Sequence, residues 1–107
     1  MTIAEALAPT GIGCSRPPYP YKHDVYVTYT MLGQSGMLYA EGTEQETAVT
    51  YVVNLYVRGS FIEPMRRVKA ALVAAGYIVT IETEYYEDAI DMRHIVMTAE
   101  IQGDVYG

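Results

Sequence analysis

The segment from Glu46 to Ile101 constrains the fold most. Its apolar residues recur first at every second position, then at every third or fourth, and then at every second position again. Alternating apolar positions mark a half-buried strand between Thr47 and Val57. They are Val49, Tyr51, Val53, Leu55 and Val57. Alternation returns from Tyr77 to Tyr85 and from Ile95 to Ile101, on either side of a polar turn. The pattern predicts strand, helix, strand, turn and strand.

The predicted helix has an apolar stripe and signals at both ends. The stripe recurs every three or four residues. It consists of Phe61, Met65, Val68, Leu72 and Ala75. Gly76 follows where a left-handed cap ends a helix. Ser60 and Glu63 have the spacing of a capping box, which predicts that the helix begins at Ser60.

The first twenty residues are interpreted as an arm. We expect one or two helical turns over residues 2–8, and Pro9, Gly11 and Gly13 should end them. The segment Arg16–Pro20 contains three prolines and is predicted to be extended, because each proline restricts its own backbone and that of the residue before it.

A hairpin is predicted between this arm and the long strand. Val25–Met31 alternates as a first strand, Gly33–Gly36 is interpreted as its turn, and Met37–Ala40 as a short second strand. Glu41–Glu46 is then a polar, acidic loop. We expect one domain over residues 1–107, with an arm at 1–20 and a core at 21–102. The fold class is α+β, a mostly antiparallel sheet of four to five strands with one main helix packed on one face.

Composition excludes several classes of protein. Half of the 107 residues are hydrophobic, which is not the composition of a disordered chain. No apolar run approaches the roughly 20 residues that cross a bilayer, so no membrane partner is expected. Met1–Ala8 lacks the basic start and apolar stretch of a secretory signal. The single cysteine, Cys14, forms no disulfide within the chain and is interpreted as a structural thiol.

Charge and aromatic content point towards assembly. The net charge of −6 disfavours tight binding to phosphate backbones. Eleven tyrosines stand against one phenylalanine and no tryptophan. Tyrosine suits surfaces that are wet before assembly and buried after it, although half-buried strands also favour tyrosine.

The order of motifs over Pro20–Gln102 resembles the tail terminator, or tail completion, proteins of long-tailed bacteriophages. The resemblance rests on Tyr51–Val57, the helix ending in Gly-aromatic, the turn Tyr85–Asp88, and His94 before the last strand. Tyr39, Ala40 and Glu41 stand where relatives carry a Tyr-Ala-acid hairpin. The first helix is shorter than is usual in that family.

The resemblance implies a structural protein of the virion, present in the host cytoplasm during assembly. Such proteins form rings, usually hexamers, that cap the tail tube, stop its polymerisation and join it to the head-completion proteins. DNA passes through the lumen without specific binding. Neither enzyme activity nor a cofactor is implied. The candidate interface residues are Arg66, Arg67, Lys69, Glu84, Glu87, Asp88, Asp91, Tyr39, Glu41 and Glu44.

Other functions stay open at this point. Glu82, Glu84, Glu87, Asp88 and Asp91 are the best candidates for a hard-cation site, which would make the chain a metal-dependent enzyme. Their simpler interpretation is a solvated strand and hairpin. His94 is a candidate acid–base partner of Glu87 or Asp88. A different neck protein, such as a head-closure component, and a small ligand-binding module are further alternatives.

Overall fold

Five strands form one mixed sheet in the computed structural model of the protein, which describes residues 2–40 and 43–102, with side chains for 2–32 and 48–102. In chain order the elements are α1 (Ile3–Leu7), a 3-10 turn (Ala8–Thr10), β1 (Gly13–Ser15), β2 (Val25–Ala40), β3 (Thr43–Val57), α2 (Ile62–Ala74), β4 (Ile78–Glu87) and β5 (Met92–Gln102). The strand order is β1-β2-β3-β5-β4. β1 lies parallel to β2, and the other neighbours are antiparallel. The α+β class is confirmed.

One face of the sheet is covered by helices and carries the hydrophobic core. The five alternating residues predicted for β3 are each at most 1 % exposed. Val68 and Leu72 of α2 are fully buried in the same cluster, as are Ile95 and Met97 of β5. The predicted apolar faces of these three elements are therefore confirmed.

The first helix also contributes to this core, so the expectation of one main helix on this face is too simple. Ile3 and Leu7 of α1 are each 1 % exposed within the cluster. A capping box fixes the start of α1, because the Glu5 amide donates to the Thr2 hydroxyl at 3.0 Å and the Thr2 amide donates to the Glu5 carboxylate at 2.9 Å.

The start of α2 differs from the prediction, and proline is the reason. Phe61, not Ser60, is the N-cap, and no side chain caps the helix. The first helical hydrogen bond runs from the Met65 amide to the Phe61 carbonyl at 2.9 Å. A helix capped by Ser60 would need this bond from residue 64, and Pro64 has no amide hydrogen.

The end of α2 follows the prediction. Gly76 adopts a left-handed conformation with φ of 99°. Its amide donates to the Val73 carbonyl, and the Tyr77 amide donates to the Leu72 carbonyl, both at 3.0 Å. These are the two bonds of a Schellman motif, which turns the chain into β4.

The predicted turn at Gly33–Gly36 is wrong. These residues lie within β2, which runs unbroken from Val25 to Ala40 and pairs with β3. The register of the pairing with β3 shifts next to Gly33 and next to Gly36, as at β-bulges, and both glycines stay within the strand. Much of the predicted Glu41–Glu46 loop is likewise strand, since β3 begins at Thr43, whereas Glu41 lies outside the described residues.

The proline-rich arm bends where an extended segment was predicted. Arg16, Pro17 and Pro18 form a bend that includes a cis peptide bond between the two prolines. Beyond the bend, the Tyr19 ring stacks on Tyr26 of β2. Among the described residues, no helix is long and apolar enough to cross a membrane.

Candidate interaction surface

An aromatic row crosses the open face of the sheet, opposite the helices. Strand register aligns it, because Tyr26 is the partner of Tyr56, Tyr56 of His94, and His94 of Tyr85. Ring centroids are 4.8 Å apart between Tyr26 and Tyr56 and 4.3 Å apart between Tyr56 and His94, with both pairs of planes within 19° of parallel. Tyr85 lies 5.7 Å from His94 at a tilt of 49°. Tyr56 is stacked on both sides, by Tyr26 and by His94, so its faces are not available to stack on nucleic-acid bases.

Tyr19 extends the row beyond Tyr26. Its ring stacks on Tyr26 with centroids 4.4 Å apart and planes within 8°. Its hydroxyl lies 2.7 Å from Nδ1 of His23. Gly13, the parallel partner of Tyr26, makes room for this ring, since a Cβ at Gly13 would fall on the Tyr19 hydroxyl. The arm is therefore anchored to the sheet by aromatic stacking.

His94 is the polar centre of the row. Its Nδ1 lies 2.9 Å from the Glu87 carboxylate, and its Nε2 lies 2.7 Å from the Asn54 side-chain oxygen. Its side chain is 13 % exposed. The predicted contact between His94 and Glu87 is thus present. Both ring nitrogens already have partners, so the arrangement orients the imidazole as a structural link between β3, β4 and β5.

Two tyrosines of the row are partly desolvated. Burial raises the pKa of both Tyr26 and Tyr56 above the usual value of a phenol. A phenol hydroxyl is protonated near neutral pH and can donate a hydrogen bond. This is the property that a wet protein–protein interface uses when it buries tyrosine.

The acidic residues of the β4–β5 hairpin take separate partners. Glu84 forms an ion pair with Arg93 at 3.2 Å, and the Asp91 carboxylate accepts a hydrogen bond from the Tyr86 hydroxyl. The Thr98 hydroxyl lies 3.4 Å from Glu82. Within the described residues, no three metal-ligating side chains group together. The structure therefore does not bring these carboxylates into one site.

Two more of the acidic candidates, Asp88 and Glu87, lie at the same end of the sheet. Asp88 opens the tight turn, where its carbonyl accepts from the Asp91 amide at 3.4 Å. Asp91 adopts a positive φ of 54°, which Asp tolerates better than most residues. The end of this hairpin is therefore a small acidic projection beside the aromatic row.

Arg58 connects the end of this hairpin to the segment just before β2. Its guanidinium contacts the Asp24 carboxylate and donates to the Ile90 carbonyl at 2.8 Å. A cleft of about 490 Å³ lies beside it, lined in part by Tyr21 and Lys22. The role of Arg58 was not predictable from the sequence, because its partners are 34 and 32 residues away.

The basic candidates for the interface lie on α2, on the other side of the sheet, and are here called the basic stripe: Arg66, Arg67 and Lys69. Arg67 already has partners within its own chain, since its guanidinium contacts the Glu63 carboxylate at 2.6 Å and donates to the Thr10 carbonyl at 3.0 Å. Arg66 and Lys69 are exposed and take part in no ion pair among the described residues. The stripe and the acidic hairpin do not meet within one chain.

The remaining predicted interface residues belong to the far part of the β2–β3 hairpin. The backbone of Tyr39 pairs with that of Glu44, and Glu41 lies outside the described residues. Sequence reasoning missed the aromatic row and Asn54. The available signal was the excess of tyrosine at alternate strand positions, which does not give the register that aligns them.

Comparison with known proteins adds no relative. No protein-family model matches the sequence, and no curated protein matches it. The similarity to tail terminators therefore rests on the order and spacing of residues in this chain.

Proposed function

We propose that the chain is a structural subunit of the head–tail junction of a long-tailed bacteriophage. In this role it forms a ring, with a hexamer as the family's usual number, which caps the tail tube and joins it to the head-completion protein. α2 is then the main helix of a tail-terminator-like fold. DNA crosses the lumen without specific binding, and the chain acts without catalysis or a cofactor.

The observation that carries this proposal is a hairpin that extends beyond the sheet. β5 pairs with β3 only from Ala48 to Val57, whereas β2 continues its pairing with β3 as far as Ala40 and Thr43. Among the described residues, the last part of the hairpin is therefore two strands wide, in a molecule that measures 52 by 26 by 24 Å. Two-stranded hairpins have marginal stability in water, so this one gains most from a neighbour or a partner.

The charge distribution supports a contact between different surfaces of adjacent copies. The acidic hairpin end and the exposed cations of α2 lie on opposite faces, and opposite charges at a head-to-tail contact fix its register. A ring of chains that each carry −6 also repels duplex DNA in its lumen, which favours passage over binding.

A tube-capping assay tests the proposed function. Purified tail-tube protein is polymerised with increasing amounts of the chain, and tube lengths are measured by electron microscopy. We expect the chain to bind tube ends and to halt growth at a stoichiometric ratio of rings to ends. Tubes that grow to the same length at every ratio would contradict capping. Binding to the head-completion protein alone would instead assign the chain to another position in the neck.

Charge reversal tests the contact between copies. Arg66→Glu with Lys69→Glu removes exposed cations that make no internal ion pair among the described residues, so it should weaken the ring without loss of folding. Arg66→Glu with Arg67→Glu should weaken it further, but it also removes the contacts of Arg67 with Glu63 and Thr10. Unchanged sedimentation of both variants would count against a role of this stripe in assembly.

A further inference from the structure

The sheet has two open edges. β4, from Ile78 to Glu87, pairs with β5 on one side and has no strand on its other side among the described residues. At the opposite edge, β1 covers β2 only at Tyr26–Thr28. The stretch Tyr29–Ala40 of β2 therefore pairs with β3 alone within residues 2–40 and 43–102. In this described part of the chain, each edge leaves outward-facing backbone amides and carbonyls without a strand partner over ten or more residues.

The protection of the two edges against pairing is partial. Natural edge strands are blocked by lysine, proline, other charged side chains, β-bulges or very short length. β4 carries glutamates and one irregularity of register, and β2 carries irregularities near Gly33 and Gly36, yet both edges also expose apolar side chains. β4 contains neither lysine nor proline, and Ile78, Ile81 and Tyr85 are 61 %, 39 % and 53 % exposed. On β2, Met31 and Leu32 are 41 % and 65 % exposed. These apolar side chains lie beside backbone groups that are ready to pair.

The chemistry of the two edges favours a pairing between unlike edges. β4 carries Glu82, Glu84 and Glu87, whereas Tyr29–Ala40 has no charged residue. Pairing of β4 with a second β4 would bring carboxylates of the two copies close together, which is unfavourable in a ladder. Pairing of β4 with the neutral edge of β2 avoids this repulsion.

Strand direction permits the same arrangement. β2, β3, β5 and β4 alternate in direction, since each is antiparallel to the next. β4 therefore runs opposite to β2. When the sheet of a second copy continues that of the first, its β2 lies antiparallel to β4, and the alternation passes from one copy to the next without a break.

We infer that the β4 edge of one copy pairs with the Tyr29–Ala40 edge of the next, so that one sheet continues through the assembly. This inference rests on the proposed ring and specifies its interface. A contact between two different edges is heterologous, and such contacts generate closed rings or open helical filaments.

The position of β1 also sets an offset between copies. Through successive partners, Thr28 and Tyr26 of β2 are level with Thr83 and Tyr85 of β4. β1 occupies the β2 edge at that level. The neighbouring β4 must therefore shift along the strands, towards Ala40, to pair over its whole length. Strand stagger of this kind is what a closed, barrel-like sheet requires.

A complementation experiment tests this pairing. Ile78→Lys with Ile81→Lys blocks the β4 edge, and Leu32→Lys blocks the β2 edge, by placing lysines where they oppose pairing. Each variant alone should be monomeric by native mass spectrometry. Mixed in equal amounts, they retain one intact edge of each kind and should give a heterodimer that grows no further. Ala4→Lys with Ala8→Lys is the control for the double variant, because it adds two lysines at exposed positions of α1 and the 3-10 turn, outside both edges and the cations of α2, and it should leave the assembly intact.

Hydrogen exchange of the wild-type protein gives a second, independent readout. On assembly, amides of β4 and of Tyr29–Ala40 that gain a partner should exchange about fivefold more slowly, the effect of one added hydrogen bond of typical strength. A ring in which both edges exchange as fast as in the monomer would overturn the edge pairing and leave the ring proposal standing. Homodimers of either blocked variant would show that like edges pair and would also overturn it.

The two proposals fail in different ways. Slowed exchange at both edges in an assembly that never binds tail tubes would support the edge pairing and contradict the head–tail function. A protein that stays monomeric alone and with tail-tube protein would overturn both.

Discussion

The two faces of this sheet are built by different chemistry. The helix-covered face is largely aliphatic, and its central residues are completely buried. The open face carries stacked aromatic rings, hydroxyls and a histidine held between Asn54 and Glu87. The first face stabilises the fold through non-directional burial. The second depends on directional contacts between neighbouring strands, and it leaves polar groups at the surface for partners.

The largest effect should come from the covered face. Leu55→Ala should lower the free energy of unfolding by about 2–5 kcal/mol, because it leaves a cavity among fully buried side chains. Val52→Ala, at a half-buried position on the open face of the same strand, is the matched control and should cost less. Guanidinium unfolding of the two variants measures the difference. Equal losses would remove the distinction between the faces.

On the open face, His94→Ala should cost about 1–3 kcal/mol, because it breaks the row and leaves Asn54 and Glu87 without their partner. A double-mutant cycle with Glu87→Gln isolates the contact. We expect the double variant to lose less than the two single losses together. Strict additivity would show that the histidine and the carboxylate act independently.

A smaller, pH-dependent effect should come from Cys14, which packs partly buried against the core. Burial raises the pKa of this thiol to about 11, whereas an exposed thiol has a pKa of about 8.5. The folded state thus favours the neutral thiol. Its contribution to stability is complete below about pH 8.5 and is lost as the pH rises towards 11.

Cys14→Ala tests this expectation through the slope of stability against pH. The variant should lose less stability than the wild type between about pH 8.5 and 10, where only the unfolded thiol ionises. Denaturant unfolding at several pH values measures both slopes. Identical slopes would show that the thiol is not shielded from water in the folded protein.

The smallest effect should come from the exposed pair of Arg67 and Glu63 on α2. Glu63→Gln should change stability by about 0.5 kcal/mol or less, because exposed pairs four residues apart contribute little. High salt should reduce the difference from the wild type, as measured by thermal unfolding. A cost of several kcal/mol would place this pair among the structural contacts of the core.

The sequence was sufficient for features that depend on local periodicity. The buried positions of β3, the apolar stripe of α2 and the cap at Gly76 were predicted because side-chain spacing and backbone preference determine them. The start of α2 differs from the prediction because the capping-box spacing at Ser60 does not take account of Pro64. Pro64 has no amide hydrogen to bond the Ser60 carbonyl, so the helix begins one residue later.

Features that depend on pairing between distant segments were not predictable. Gly33 and Gly36 have the composition of a turn, yet pairing with β3 holds both within one strand. The aromatic row needs residues 26, 56, 94 and 85 at one level, and only the register of four strands places them there. The contact of His94 with Glu87 was predictable because one short hairpin joins them.

The mass of the native assembly tests the central claim most directly. Native mass spectrometry of the purified 11.9-kDa chain, alone and with tail-tube protein, counts the copies that associate. We expect a closed assembly, with six copies as the number that the resemblance implies. A single copy under both conditions would contradict the claim that this chain is the subunit of a ring.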